Sequence, residues 1–144
     1  MNRLCAALMA CAIGTGLCAL ELTIPMVWLR HAEPERPVLS NLDPIPEDRG
    51  RAGAQVALDD NLTTGRFLGQ KYTLEIVEIA PEAAPVAAAR AALAASPFLV
   101  LDAPAASQLA IADLAEAQGA ILFNASSSDM ALRGADCRAN LLHT

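Results

Sequence analysis

The chain predicts one α/β domain, a parallel Rossmann-like (flavodoxin-like) sheet with flanking helices, and three observations lead there. Residues 53–70 (GAQVALDDNLTTGRFLGQ) followed by the alternating run 72–79 (YTLEIVEI) read as helix, Gly-punctuated loop and strand, the return arm of a βαβ unit. Short apolar runs at 22–29, 98–101 and 120–123 alternate with helix-forming stretches, giving four strands separated by three helices. Of 144 residues, 54% are apolar and only 3% aromatic, so the core is expected to be built from close Ala-rich helix and strand contacts instead of large rings.

The elements follow in order. Residues 22–29 (LTIPMVWL) are nearly continuous in apolar character, as a strand covered on both faces should be, and Pro25 is the local conflict because it cannot donate to a ladder. Residues 30–48 are polar and carry Pro34, Pro37, Pro44 and Pro46. They read as a long excursion, either functional or a solvated connector. The first helix is expected to start at Glu47-Asp48, to present Gly50, Gly53, Ala54, Ala57, Leu58 and Asn61 to the sheet, and to end at Asp59-Asp60-Asn61. The strand at 72–79 mixes Glu75 and Glu78 with apolar residues, which suits an edge. Residues 81–96 become strongly helical past Pro85 and stop at Pro97. A third helix is expected over 107–118, with Gly119 as its left-handed cap. Beyond this βα alternation the chain contains no repeat and no low-complexity tract.

The N-terminus has the make-up of a targeting segment. Arg3 precedes an uncharged apolar run over 4–17, and Ala19 offers a small residue for cleavage, so residues 1–19 are expected to be a secretory signal peptide. A buried first helix and lipoprotein processing at Cys11 or Cys18 are the competing readings. Removal of the signal takes Cys5, Cys11 and Cys18, leaving Cys137 as a single thiol in an oxidising compartment. The net charge of −6, with Lys71 the one lysine, leaves no basic stripe for nucleic acid.

In open parallel sheets, ligands meet the loops at the carboxyl ends of the strands. The candidate floor is therefore Arg30, His31, Ala80, Asp102, Ala103, Pro104, Ala105, Asn124, Ala125, Ser126, Ser127 and Ser128. Hydroxyls and backbone N–H groups there suit a carboxylate or another small polar ligand, and the competing reading is that the serines cap the next turn. No catalytic residue, metal ligand or cofactor is assigned. Cys137, between Asp136 and Arg138, is open to three readings: a nucleophile, a disulfide partner, or a structural thiol. Asp59 and Asp60 diverge on a helix and lack a third ligand. Asn61-Leu62-Thr63 and Asn124-Ala125-Ser126 match the glycosylation sequon, a pattern frequent by chance.

Residues 53–61, the loop 65–70 and the strand 72–79 together resemble the opening lobe of type I periplasmic binding proteins, the substrate-binding components of ABC importers of the branched-chain amino acid type. Residues 40–44 (SNLDP), 63–70 (TTGRFLGQ), 123–125 (FNA) and 132–144 (LRGADCRANLLHT) resemble the subgroup associated with PQQ-dependent (quinoprotein) alcohol dehydrogenase systems. The resemblance implies that residues 20–144 form an N-terminal lobe, truncated relative to a two-lobed periplasmic receptor. Such a receptor closes on a small-molecule solute and docks on an ABC permease in the inner membrane. It also maps the ligand contacts onto Asp102, Ala103, Pro104 and Ala105, and onto Asn124, Ala125, Ser126 and Ser127. Asp102 stands where amino-acid receptors usually carry a Gly-containing loop with Ser or Thr, and an Asp at the rim would repel an amino-acid carboxylate, so a neutral or cationic solute, an alcohol-derived compound or a redox-system partner fits no worse. The alternative function is a periplasmic sensor or accessory protein that binds a component of the alcohol dehydrogenase system.

Overall fold

The computed structural model describes residues 21–34, 46 and 48–144. The predicted signal peptide, its three cysteines and the 40–44 motif lie outside them. The described elements are β1 (Leu22–His31), α1 (Arg51–Leu68), β2 (Gln70–Ile79), α2 (Pro85–Ala95), β3 (Phe98–Asp102), α3 (Ala105–Ala112), β4 (Ile121–Asn124) and β5 (Leu141–His143). Short 3-10 turns stand at Ala115–Ala117 and Met130–Arg133. All five strands are parallel, in the order β2-β1-β3-β4-β5, a flavodoxin-like arrangement consistent with a single lobe. The fifth strand goes beyond the four expected, because a three-residue run (LLH) is too short to announce itself by pattern.

From β1 the chain turns one way to β2 and then the other way to β3, β4 and β5. Right-handed crossovers therefore put α1 on one face of the sheet and α2 with α3 on the other. The second face holds the core. Val27, Leu29, Ile79, Leu99, Leu101 and Leu122 meet Ala89 and Ala92 of α2 and Ile111 and Ala112 of α3, all buried. Alanine on α2 lets its backbone approach the sheet closely, as the composition required.

The first face is differently covered. Ile76, Trp28, Val100, Phe123 and Leu142 lie in register across all five strands. Helix α1 packs mainly against β2, leaving Ile76, Ile121 and Leu142 between 37% and 47% exposed. That is an apolar sheet surface open on its β4–β5 side.

Pro25 lies inside β1, not at its entry. Its carbonyl accepts a hydrogen bond from Ser96 Oγ at 2.7 Å, on the flank where β3 pairs only with Val27 to Arg30. The carbonyl and nitrogen of one strand residue point the same way, so the missing N–H falls where no ladder exists.

Helix α1 departs from expectation at both ends. Asp48, Arg49 and Gly50 form a turn, and the helix then continues through Asp59-Asp60-Asn61 and the expected loop as far as Leu68. Asn61 donates to the Ala57 carbonyl at 2.7 Å and Thr63 to the Asp59 carbonyl at 3.2 Å, so the polar residues that suggest a terminus bond back onto their own helix. The inward stripe is Ala54, Leu58, Leu62 and Gly65, while Gly53, Ala57 and Asn61 face solvent. Gly65 is a packing residue, since a side chain there would run into the Gln70 carbonyl. Gly69, at φ 67°, supplies the left-handed cap.

The expected helix over 107–118 also changes. It begins at Ala105, ends at Ala112 and gives way to a 3-10 turn, with Gly119 at φ 87° closing the segment. Asn140 spans the break, donating to the carbonyls of Ala112 at 3.0 Å and Ala117 at 3.2 Å. The Ala112 carbonyl at the break therefore gains a donor, while that of Ala117 also accepts from Ala120 N at 3.1 Å. Helix α2 starts with Pro85 at its first turn and ends before Pro97, as expected.

The two glycines of α1 give a contrast. Gly65→Ala should lower stability by about 1–3 kcal/mol, because the backbone it meets cannot move aside. Gly53→Ala, which meets nothing within 4 Å, should raise stability by about 0.5–1 kcal/mol. Urea denaturation of both variants checks the pair.

Candidate functional site

The strand order changes direction between β1 and β3, and a parallel sheet leaves a crevice above such a point. A cleft of about 840 Å³ lies there, at the carboxyl ends of β1, β3 and β4. Of the residues expected from sequence, Arg30, His31, Asp102, Ala103, Pro104, Ala105, Ala125, Ser126, Ser127 and Ser128 line it. Ala80 and Asn124 do not. Trp28, Glu33, Arg49, Gly50 and Asp129 line it as well, beyond the expected set. Trp28 had a readable signal, since it shares a face of β1 with Arg30. Arg49 and Gly50 had none, because the local pattern of their turn is that of a helix.

On the α1 side, Arg30 and Asp102 are register partners at the ends of β1 and β3. Arg30 Nε stands 3.8 Å from Asp102 Oδ2, so part of the aspartate charge is offset. The pairing weakens the repulsion that a carboxylate would meet at Asp102. Gly50, at φ 84°, passes over the Trp28 ring so closely that a Cβ would collide with it. Trp28 is 7% exposed and its indole Nε1 has no hydrogen-bond acceptor among the described residues.

On the α3 side, His31 Nδ1 is 2.7 Å from Ser107 Oγ, and His31 Nε2 is buried without a partner among the described residues. No side chain caps α3, whose first residue, Ala105, borders the cleft with Pro104 before it.

Asn124 lies beneath the cleft and holds its rim in place. Its Oδ1 accepts from Gln108 Nε2 at 2.8 Å, Ser127 N at 2.8 Å and Ser126 N at 3.3 Å. Its Nδ2 donates to the Ser127 carbonyl at 2.7 Å and to His143 Nδ1 at 3.1 Å, which sets His143 as the acceptor. Gln108 also donates to the Ala103 carbonyl at 2.8 Å, and Ser126 Oγ accepts from Ala103 N at 3.0 Å. The loops after β3 and β4 are thus one bonded unit. The N–H groups of Ser126 and Ser127, expected to be free for a ligand, are already used. At the next turn Ser127 Oγ accepts from Asp129 N at 3.4 Å, and the Asp129 carboxylate caps the following 3-10 turn, accepting from Ala131 N at 2.9 Å. Asn124 is 1% exposed, which closes its sequon to a glycan.

The remaining candidates lie apart. Cys137 is exposed and does not border the cleft, and Asp59 and Asp60 are exposed on α1. Among the described residues no three His, Cys, Asp or Glu side chains gather as metal ligands. Comparison with protein-family models, curated proteins and solved structures gave no match.

Two outcomes are expected. Asn124→Ala should cost about 1–3 kcal/mol, the penalty for stranding buried partners, and should speed amide exchange at Ser126 and Ser127, measured by hydrogen exchange. Outside the cleft, the bidentate Arg138 guanidinium, at 2.6 and 3.1 Å, holds the Asp113 carboxyl below its ordinary value. A depressed carboxylate stabilises the fold above its unfolded pKa and loses that contribution as pH falls through the folded value. Asp113→Asn should therefore remove part of the stability loss seen below about pH 4, read from thermal melts across pH.

Proposed function

We propose that this chain is a receptor lobe that binds a small polar solute in the cleft above the β1–β3 crossover and has no catalytic role. The observation that carries the reading is the cleft itself. It opens at the point where an open parallel sheet offers ligands the most room, and its loops are fixed by the Asn124 network before any ligand arrives. A pre-formed rim suits binding, since less freedom is lost on association. Arg30, Arg49 and His31 stand among Glu33, Asp102 and Asp129, a mixture that fits a neutral or zwitterionic solute. Taken with the resemblance of residues 53–79 and 132–144, the proposal extends to a periplasmic solute-binding component of an ABC importer, delivering to an inner-membrane permease.

A second reading has its own observation. The apolar row Ile76, Trp28, Val100, Phe123 and Leu142, open toward β5, is a surface of the kind that protein partners cover. This favours an accessory protein that binds a component of an alcohol dehydrogenase system.

A thermal-shift screen of amino acids, hydroxy acids, alcohols and polyamines separates the two. A solute at a hundred times its Kd should stabilise the protein by about 2.7 kcal/mol, and Ala105→Trp, which places an indole in the cleft, should weaken the shift. No shift with any solute, together with binding to a dehydrogenase or cytochrome that is lost in Leu142→Glu, would replace the first reading by the second.

A further inference from the structure

The sheet ends differently at its two edges. At one, β5 has three residues; at the other, β2 has ten, with no strand beyond it among the described residues. Leu22 N donates to the Gly69 carbonyl at 2.7 Å and Ala32 N to the Ile79 carbonyl at 3.0 Å, which in the register of β1 and β2 turns the odd-numbered residues of β2 toward β1. The N–H and C=O groups of Gln70, Tyr72, Leu74, Ile76 and Glu78 therefore point outward. A long open edge of this kind is a template for another strand.

The side chains say which strand fits. Tyr72, Leu74 and Ile76 share the α1 face with Trp28, while Lys71, Thr73 and Glu75 lie on the opposite face and are exposed. Neither Lys71 nor Glu75 has a salt-bridge partner among the described residues. Charges on an edge strand can serve to keep other strands away. Here, however, they are of opposite sign and spaced so that the edge complements itself. Antiparallel pairing through the outward groups sets even-numbered residues opposite even-numbered ones, and odd opposite odd. With the centre at Thr73, Lys71 of each copy faces Glu75 of the other, Thr73 faces Thr73, and on the α1 face Tyr72 faces Leu74. The odd pairs are the non-hydrogen-bonded ones, in which side chains stand closest. A centre at Tyr72 would set Lys71 against Thr73, one at Leu74 would set it against Val77, and one at Glu75 would bring two like charges together. Only the Thr73 centre satisfies both charges.

We propose that β2 is a self-association edge, at which a second copy of this chain pairs its own β2 antiparallel, centred on Thr73, to make one continuous sheet. A twofold axis normal to the sheet relates the copies and closes the pair, so association stops at two. The same axis carries Phe67 and Leu68, which end α1 just before the edge and are 88% and 64% exposed, to the level of Glu78 and Ile79 in the second copy. The edge lies apart from the cleft, and the proposal stands whether or not the cleft binds a solute.

The test is charge reversal followed by sedimentation velocity on the purified protein at concentrations up to about 0.1 mM. The unaltered protein should form a dimer. Lys71→Glu and Glu75→Lys each turn both cross-copy pairs into like-charge pairs, and each should weaken dimerisation by about tenfold or more. Both side chains are exposed, so neither reversal disturbs the core. Mixing the two single variants restores both pairs and should give a heterodimer. Amide exchange at Tyr72 and Leu74, whose N–H groups would be bonded across the axis, should be slow in the dimer and fast in either single variant. A monomer at every concentration overturns the proposal. So does a dimer that neither reversal weakens, or one that mixing fails to restore. Slow exchange at Tyr72 and Leu74 in a monomer overturns it as well, and assigns the edge to another part of this chain.

Discussion

A single buried carboxamide governs the carboxyl edge of this sheet. Asn124 ends β4, yet its side chain reaches α3 through Gln108, the loop after β4 through Ser126 and Ser127, and β5 through His143. Its own backbone carbonyl accepts from the Thr144 hydroxyl at 2.9 Å. Buried polar groups are tolerated when each finds a partner, and both polar atoms of the Asn124 carboxamide do, although Gln108 Oε1 and His143 Nε2 are buried without one among the described residues. The cleft has its shape because the loops around it are not free to choose another. The asparagine expected to touch a ligand instead holds the residues that border the cleft.

The central strands were readable because burial on both faces leaves a continuous apolar signature, as in 22–29 and 98–101, and because proline and glycine mark the ends of α2 and the turn at Gly119. What escaped was tertiary in origin. Asp59-Asp60-Asn61 looks like a helix end to local rules, yet the side chains bond back to the helix and Gly65 fits against β2, so α1 continues. The break after Ala112 is bridged by Asn140, far along the chain, whose amide donates to the carbonyls of Ala112 and Ala117 on either side of it. The cleft was legible wherever strand ends define it. Its far wall was not, because Gly50 lies over Trp28 only through a positive φ and a contact that no pattern encodes.

The two faces of the sheet have unequal roles. Small residues on α2 and branched ones on α3 cover the core of one face, and the close fit of Ala89 and Ala92 explains how a chain so poor in aromatics makes a core. On the other face the largest side chain, Trp28, is buried under a glycine turn rather than a helix, and its ring forms part of the cleft wall. Packing on that side therefore couples directly to the site: whatever moves the turn at Gly50 uncovers the indole and shifts the neighbourhood of Asp102.

The position of β1 also bears on how the chain reaches this state. As the second strand of the sheet it needs β2 on one flank and β3 on the other, and the far end of β3 is Asp102. Made from the N-terminus at about 5–20 residues per second, the first strand is exposed for several seconds before both neighbours exist. Throughout that interval Val27, Trp28 and Leu29, among the most buried residues of the finished fold, stand open to water and to other chains. For this topology the vulnerable moment is early in synthesis, and it falls on the same strand that later carries the floor of the cleft.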